Sequence, residues 1–323
     1  MIIDTHSHIG RDFYFGESKI EDYDNFCVKN NIDVGFLMPM PWPVYSKNGV
    51  DICSLLWEHY NYEKINYYKF YLKNNKKETI IYNPYEEINK FYYEKLQKYN
   101  SKTKVKFIPL VHGKLDNPYY LENMIRKTKP VAIKFHGFSG GFFADDINGN
   151  IVDIIKFYDI PIIIHTSVYK YNDGYGVDTK YFRNKCSPKN WYNFLKSNNL
   201  KGVLNHGACL DEEIIKKVNS NKNIMIGIGP DYDIASDPYK VLTEKKLYLD
   251  VGYLNLLKNM IDPEKLLFDV DYNWNFGNNN ELDNDSIKRI RKTWNYLDSE
   301  NILGKNAKAF YRLWYLNFEV THL

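Results

Sequence analysis

Eight short apolar runs, most of them separated by an amphipathic stretch, constrain this chain more than any other feature. They fall at residues 1–5, 33–38, 105–111, 131–135, 161–164, 202–204, 224–228 and 266–270. Runs that stay apolar instead of alternating read as strands buried on both faces, the condition of a parallel sheet. Segments 86–99, 119–129, 151–158, 189–197, 212–219 and 247–260 carry apolar residues at helical spacing between them. Eight βα units predict an α/β protein built as a closed (β/α)8 barrel, in preference to an open doubly wound sheet. A length of 323 residues suits one such domain spanning 1–323.

Residues 41–85 do not belong to a minimal barrel. They lie between the second strand and its helix, open with Pro41-Trp42-Pro43, and continue into an aromatic-rich stretch of helical character from Trp57 to Tyr71. Loops that follow strands form the active-site face of such a barrel. A helical insertion there is a candidate lid or substrate wall. The alternative is a packing or oligomer surface, such as a homodimer contact.

Several function classes find no support. The 43 basic and 40 acidic side chains leave a net charge of only +3, so no nucleic-acid or membrane partner is expected. No glycine-rich phosphate loop follows any strand. Cys27, Cys53, Cys186 and Cys209 form no CxxC pair, which argues against a thiolate zinc site. The opening Met-Ile-Ile-Asp-Thr-His lacks the basic and apolar regions of a secretion signal, and no apolar run approaches ~18 residues. A cytoplasmic protein acting on a small molecule is expected.

The histidines are not scattered. Of eight, His6 and His8 fall at the end of strand one, His112 of strand three, His136 of strand four, His165 of strand five and His206 of strand six; His59 and His322 read as ordinary surface residues. The C-terminal rim of a parallel barrel is where its chemistry sits. On a strand, residues i and i+2 share a face, so His6 and His8 aim to the same side. Two neutral imidazoles a few ångström apart need a proton, a hydrogen bond or a shared cation, and a divalent metal satisfies both. Strand eight, which closes against strand one, ends in Asp269-Val270-Asp271. The two carboxylates have the same parity, so spacing alone does not choose between them.

In order along the chain, Ile3-Asp4-Thr5-His6-Ser7-His8, Ala132-Ile133-Lys134-Phe135-His136, Pro161-Ile162-Ile163-Ile164-His165, Gly202-Val203-Leu204-Asn205-His206-Gly207, Leu267-Phe268-Asp269-Val270-Asp271-Tyr272 and Ile302-Leu303-Gly304-Lys305-Asn306-Ala307 form a set. This set resembles the amidohydrolase superfamily, in the branch that includes aminocarboxymuconate semialdehyde decarboxylase and related metal-dependent hydrolases. The resemblance spans nearly the whole chain. It implies one divalent metal held by His6, His8, His165 and Asp271, with zinc suited to imidazoles plus one carboxylate and with manganese or iron also accommodated. It implies that His206 orients the attacking water or polarises the substrate. Asp271 would take up the proton and return it to the leaving group. Asp271 is favoured over Asp269 because Asp269 stands where the family has glycine; Val270 replaces the family serine and Asn273 the proline.

Lys134 carries three readings: a carboxylated bridge between two metals, a contact for a substrate anion, or a structural ion pair. His136, His112, Arg11 and Trp42 are further candidate substrate contacts. Two reactions fit the ligand set: metal-dependent hydrolysis of an amide, ester or lactone-like bond, and non-oxidative decarboxylation of an aromatic or unsaturated acid. A third reading is a barrel without catalysis that serves as a binding protein; retention of the whole ligand set argues against it.

Overall fold

The computed structural model describes residues 1–12, 16–41, 46–47, 50–51, 82–167, 184–229, 251–272 and 285–313. Its strands are β1 (Ile3–Asp12), β2 (Gly16–Ser18), β3 (Val34–Pro39), β4 (Ser46–Lys47), β5 (Val50–Asp51), β6 (Lys104–Phe107), β7 (Ile133–Phe135), β8 (Ile162–Ile164), β9 (Gly202–Leu204), β10 (Ile224–Ile228) and β11 (Leu266–Phe268). Among the described residues, β1, β3 and β6 pair in parallel as one arc, and β7 to β11 pair in parallel as a second.

Backbone hydrogen bonds join the arcs at both seams. Between β6 and β7, Val111 N donates to Lys134 O and Lys134 N to Pro109 O, each at 2.9 Å. Between β11 and β1, Asp271 N donates to His6 O at 2.7 Å and His8 N to Tyr272 O at 3.1 Å. Eight parallel strands thus close into the expected barrel, in chain order.

The alternation of side chains divides the core in two. Ile3, Val34, Phe36, Met38, Ile163, Val203, Met225 and Leu267 point inward and pack with Ala307, Tyr311 and Leu313 from the chain's last described elements. Leu37, Ile133, Phe135, Ile162, Ile164, Leu204, Ile226 and Phe268 point outward and pack against the helices. Burial on both faces explains why the strands read as unbroken apolar runs. Helices Glu86–Lys98, Pro118–Thr128, Gly149–Tyr158, Pro188–Ser197, Glu212–Asn219 and Val251–Met260 occupy the expected segments to within a few residues. Several start on side-chain caps: Asn117 accepts from Tyr119 N, Ser187 from Asn190 N and Asp211 from Ile214 N. No helix among the described residues is long and apolar enough to cross a membrane.

Strand one departs from expectation in two ways. It does not end at His8: β1 runs on to Asp12, because β2 folds back antiparallel and supplies a ladder partner, with Gly10 opposite Ser18. It also contains a bulge. Asp4 lies opposite Gly35, but Ser7 lies opposite Leu37, so β1 holds one extra residue between these pairs. A one-residue insertion reverses side-chain parity. Ile3 faces the barrel interior below the bulge; His6 and His8 face it above.

Of the insertion, the described part includes the small antiparallel pair β4–β5. The helical reading of Trp57 to Tyr71, and Trp42, lie outside the described residues.

Candidate metal centre

The bulge in β1 and the turn after β11 bring three side chains together. His6, His8 and Asp271 are each buried, and each offers a ligand atom within 4.8 Å of the others. Asp271 Oδ1 lies 3.7 Å from His6 Nδ1 and 3.6 Å from His8 Nε2. Asp271 reaches this position in the left-handed region, with φ of 51°, a conformation that L-residues avoid unless the surroundings enforce it.

Hydrogen bonds fix the state of His8. Its Nδ1 lies 3.2 Å from Pro39 O, and a carbonyl only accepts, so Nδ1 carries the proton. The lone pair of His8 Nε2 then faces His6 Nε2 at 3.0 Å. That is the tautomer a ligand nitrogen needs, oriented by a backbone carbonyl. His6 Nδ1 and Asp271 Oδ1, by contrast, are buried with no hydrogen-bond partner. Two orphaned ligand atoms facing one another across 3.7 Å, beside a second imidazole lone pair, fit a divalent cation.

The surrounding charges reinforce this arrangement. Lys134, on β7, is fully buried and its Nζ lies 2.7 Å from His6 Nε2. Burial drives the Lys134 ammonium below its usual range, opposed by the charges of Asp271 and Asp269. Burial likewise lifts the carboxyl of Asp271, against the attraction of Lys134. Burial, then the Lys134 charge, hold both His6 and His8 well below the usual imidazole range, so both are neutral and able to ligate.

Asp269 sits elsewhere on the inward face. Its carboxylate lies where Cβ atoms on Gly227 and Gly229 would otherwise be; a Cβ at Gly227 would approach Oδ2 to 2.5 Å. Burial, followed by the Asp271 charge, raises its carboxyl well above the ordinary range. The structure thus separates two carboxylates that strand parity left equivalent.

The other rim histidines form a second group. His206 Nε2 and His165 Nδ1 are 2.9 Å apart, and the His136 ring stacks on His165 with centroids 4.1 Å apart. The His206 ring reaches toward His6, with centroids 5.9 Å apart. His206 begins a run of five left-handed residues ending at Leu210, of which only Gly207 adopts that conformation cheaply. His165 is therefore placed beside His206, outside the compact trio of His6, His8 and Asp271.

His112 is occupied by backbone on both sides. Its Nε2 donates to Gly140 O at 2.9 Å, and its Nδ1 accepts from Leu115 N at 3.0 Å. Burial lowers it to about 3. These bonds fix its ring in the loop after β6. The side chain of Arg11 and all of Trp42 lie outside the described residues.

Behind the trio, on the outer face of the barrel wall, lie residues that sequence reasoning passed over: Ser7 and Tyr23, gathered on Asp4. Asp4 Oδ1 accepts from His6 N at 3.1 Å and Val270 N at 2.9 Å, and Oδ2 accepts from the Tyr23 hydroxyl at 2.6 Å and from Ser7 Oγ. Burial still lifts Asp4 to about 6, although every one of these bonds pulls it down. The available signal was a carboxylate that follows the apolar Ile2-Ile3 and precedes the histidine pair within one strand.

No family model and no curated protein matches the sequence. Solved structures do. An amidohydrolase II structure covers 97% of this chain and 100% of its own with a TM-score of 0.61, at 11% identity. The chain has the amidohydrolase fold. An apo structure from Agrobacterium tumefaciens covers 96% of this chain and 95% of its own, with a TM-score of 0.55 at 10% identity. A probable 2-pyrone-4,6-dicarboxylic acid hydrolase from Acinetobacter baumannii, with citric acid bound, covers 96% and 99%, with a TM-score of 0.53 at 11% identity. At such identities the likeness is one of amidohydrolase architecture. The trio lies beyond the C-terminal end of β11 and on the upper part of β1, the end at which parallel barrels carry their chemistry.

Proposed function

We propose that this chain is a metal-dependent hydrolase that adds water across an amide, ester or lactone-like bond. The observation that carries the reading is the orphaned pair His6 Nδ1 and Asp271 Oδ1, buried and 3.7 Å apart beside the lone pair of His8. His6, His8 and Asp271 would hold one divalent ion, for which we favour zinc, and we assign His165 as a further ligand. When bound, such an ion supplies Lewis acidity toward water and a substrate oxygen.

The chain's own residues do the rest. Asp271 accepts a proton from the attacking water and delivers it to the leaving oxygen or nitrogen. His206, held against His165, orients the water or the substrate carbonyl. His136 and Lys134 are assigned as substrate contacts; Arg11 and Trp42 join them on sequence position alone. The lactone class draws support from the neighbour described as a pyrone dicarboxylic acid hydrolase.

The test is a panel of lactones, esters and N-acyl amides offered to protein stripped by chelator and then reloaded with zinc, manganese or iron, with acid release followed in a pH-stat. Hydrolysis should appear only on reloading and fall by about 10²–10⁴-fold in Asp271→Asn. If the loaded protein hydrolyses nothing but releases carbon dioxide from aromatic or unsaturated acids, the reaction is decarboxylation instead. If it does neither while binding no metal, the enzymatic reading fails.

A further inference from the structure

His6 lies on β1 and Asp271 in the turn after β11, and neither takes the conformation that a regular strand would give it. His6 faces inward only because of the bulge between Asp4 and Ser7. Asp271 reaches the trio only with φ at 51°. Both irregularities end on the same two side chains. Asp4 Oδ1 accepts from His6 N, within the bulge, and from Val270 N, the residue before Asp271. Ser7 Oγ accepts from Tyr272 N, the residue after Asp271, at 3.1 Å, and donates its own proton to Asp4 Oδ2. The two residues flanking Asp271 are thus each gripped by a side chain of β1, while Asp271 N itself donates to His6 O. Asp4 and Ser7 lie on the barrel's outer face, where Tyr23 from the helix Ile20–Lys29 closes over the carboxylate.

We infer that Asp4 and Ser7 are positioning residues that set the geometry of the metal centre from outside the barrel. They hold the bulge that turns His6 inward and the left-handed turn that turns Asp271 toward it. Neither touches the position of the ion or of a substrate. This inference rests on the metal-centre reading above. Bonds behind ligating side chains commonly control metal affinity by about 10–100-fold, and a clamp on two ligands at once belongs in that range.

The test compares full-length wild type, Ser7→Ala, Asp4→Asn and Tyr23→Phe for zinc affinity by chelator competition, and for the visible spectrum of the cobalt(II) form. Ser7→Ala and Asp4→Asn should each bind zinc about 10–100-fold more weakly, with a changed cobalt spectrum. Tyr23→Phe, which leaves both backbone grips in place, should bind within about threefold of wild type with an unchanged spectrum. A thermal melt of each ion-free variant separates misfolding from misplacement, and Ser7→Ala carries the comparison if Asp4→Asn does not fold. Wild-type affinity and spectrum in a folded Ser7→Ala protein would overturn the inference, as would an equal loss in Tyr23→Phe. If wild type itself binds no zinc or cobalt, it is the metal-centre reading that fails.

Discussion

His6 Nδ1 and Asp271 Oδ1 meet 3.7 Å apart across the seam between the first and last barrel strands, both buried and neither hydrogen-bonded. Leaving two such atoms unpaired is costly in a protein interior, and a shared cation removes the cost for both.

A divalent ion should therefore stabilise the fold. Binding to the native state alone adds about 2.7 kcal/mol at one hundred times the dissociation constant. Zinc should raise the wild-type melting temperature, and His6→Ala and Asp271→Asn should each lose most of that rise. An undiminished shift in both variants would mean that the ion binds elsewhere.

Asp116 should make stability fall with rising pH. Its Oδ2 accepts from His112 N at 2.9 Å, its Oδ1 is buried without a partner, and burial raises it to about 8. An unfolded aspartate titrates near ~3.9. Between roughly pH 4 and 8 the folded chain holds a proton that the unfolded chain has released, so this contribution is whole below that window and lost through it, by up to about 1.4 kcal/mol per pH unit. His112, at about 3, acts in the opposite sense below its unfolded value. Asp116→Asn keeps the acceptor and removes the titration. Its stability relative to wild type should therefore climb between pH 5 and 8, as read from urea unfolding; parallel curves would refute the assignment.

Asn89 should matter more than its place on a peripheral helix suggests. Its Oδ1 accepts from Leu110 N at 2.9 Å and its Nδ2 donates to Leu110 O at 2.8 Å, at the seam that carries Lys134. Asn89→Ala strands two buried backbone groups, each worth about 1–3 kcal/mol. Unfolding free energy should drop by at least about 2 kcal/mol. A change below about 0.5 kcal/mol would show that the seam does not depend on this side chain.

Gly35 should be intolerant of even a methyl group. A Cβ there would run into the hydroxyl of Tyr23, a fully buried ring bonded to Asp4. Gly35→Ala should cost about 1–3 kcal/mol as overpacking. Because the hydroxyl oxygen is the nearest of the colliding atoms, with two ring carbons behind it at 2.7 and 2.8 Å, the cost should shrink in part in a Tyr23→Phe background, which a double-mutant cycle measures. Equal costs in both backgrounds would place the collision elsewhere.

The barrel was legible in the sequence because its signal is local. A strand buried on both faces must be apolar at every position, so runs such as 224–228 and 202–204 mark β10 and β9 to the residue. The rim histidines were legible for the same reason: strand ends are visible, and closure of the barrel brings those ends together. What spacing left open was decided by backbone irregularity. Parity could not rank Asp269 against Asp271; the glycines at 227 and 229 make room for one, and a left-handed turn delivers the other to His6 and His8. Nor could parity reveal that His6 faces inward only through a bulge, or that His112 is consumed by backbone partners. Sequence by itself determined which residues line the rim. Tertiary structure alone decided which of them meet, because bulges, left-handed turns and hydrogen bonds between β1 and the turn after β11 depend on groups distant along the chain and leave no periodic trace in it.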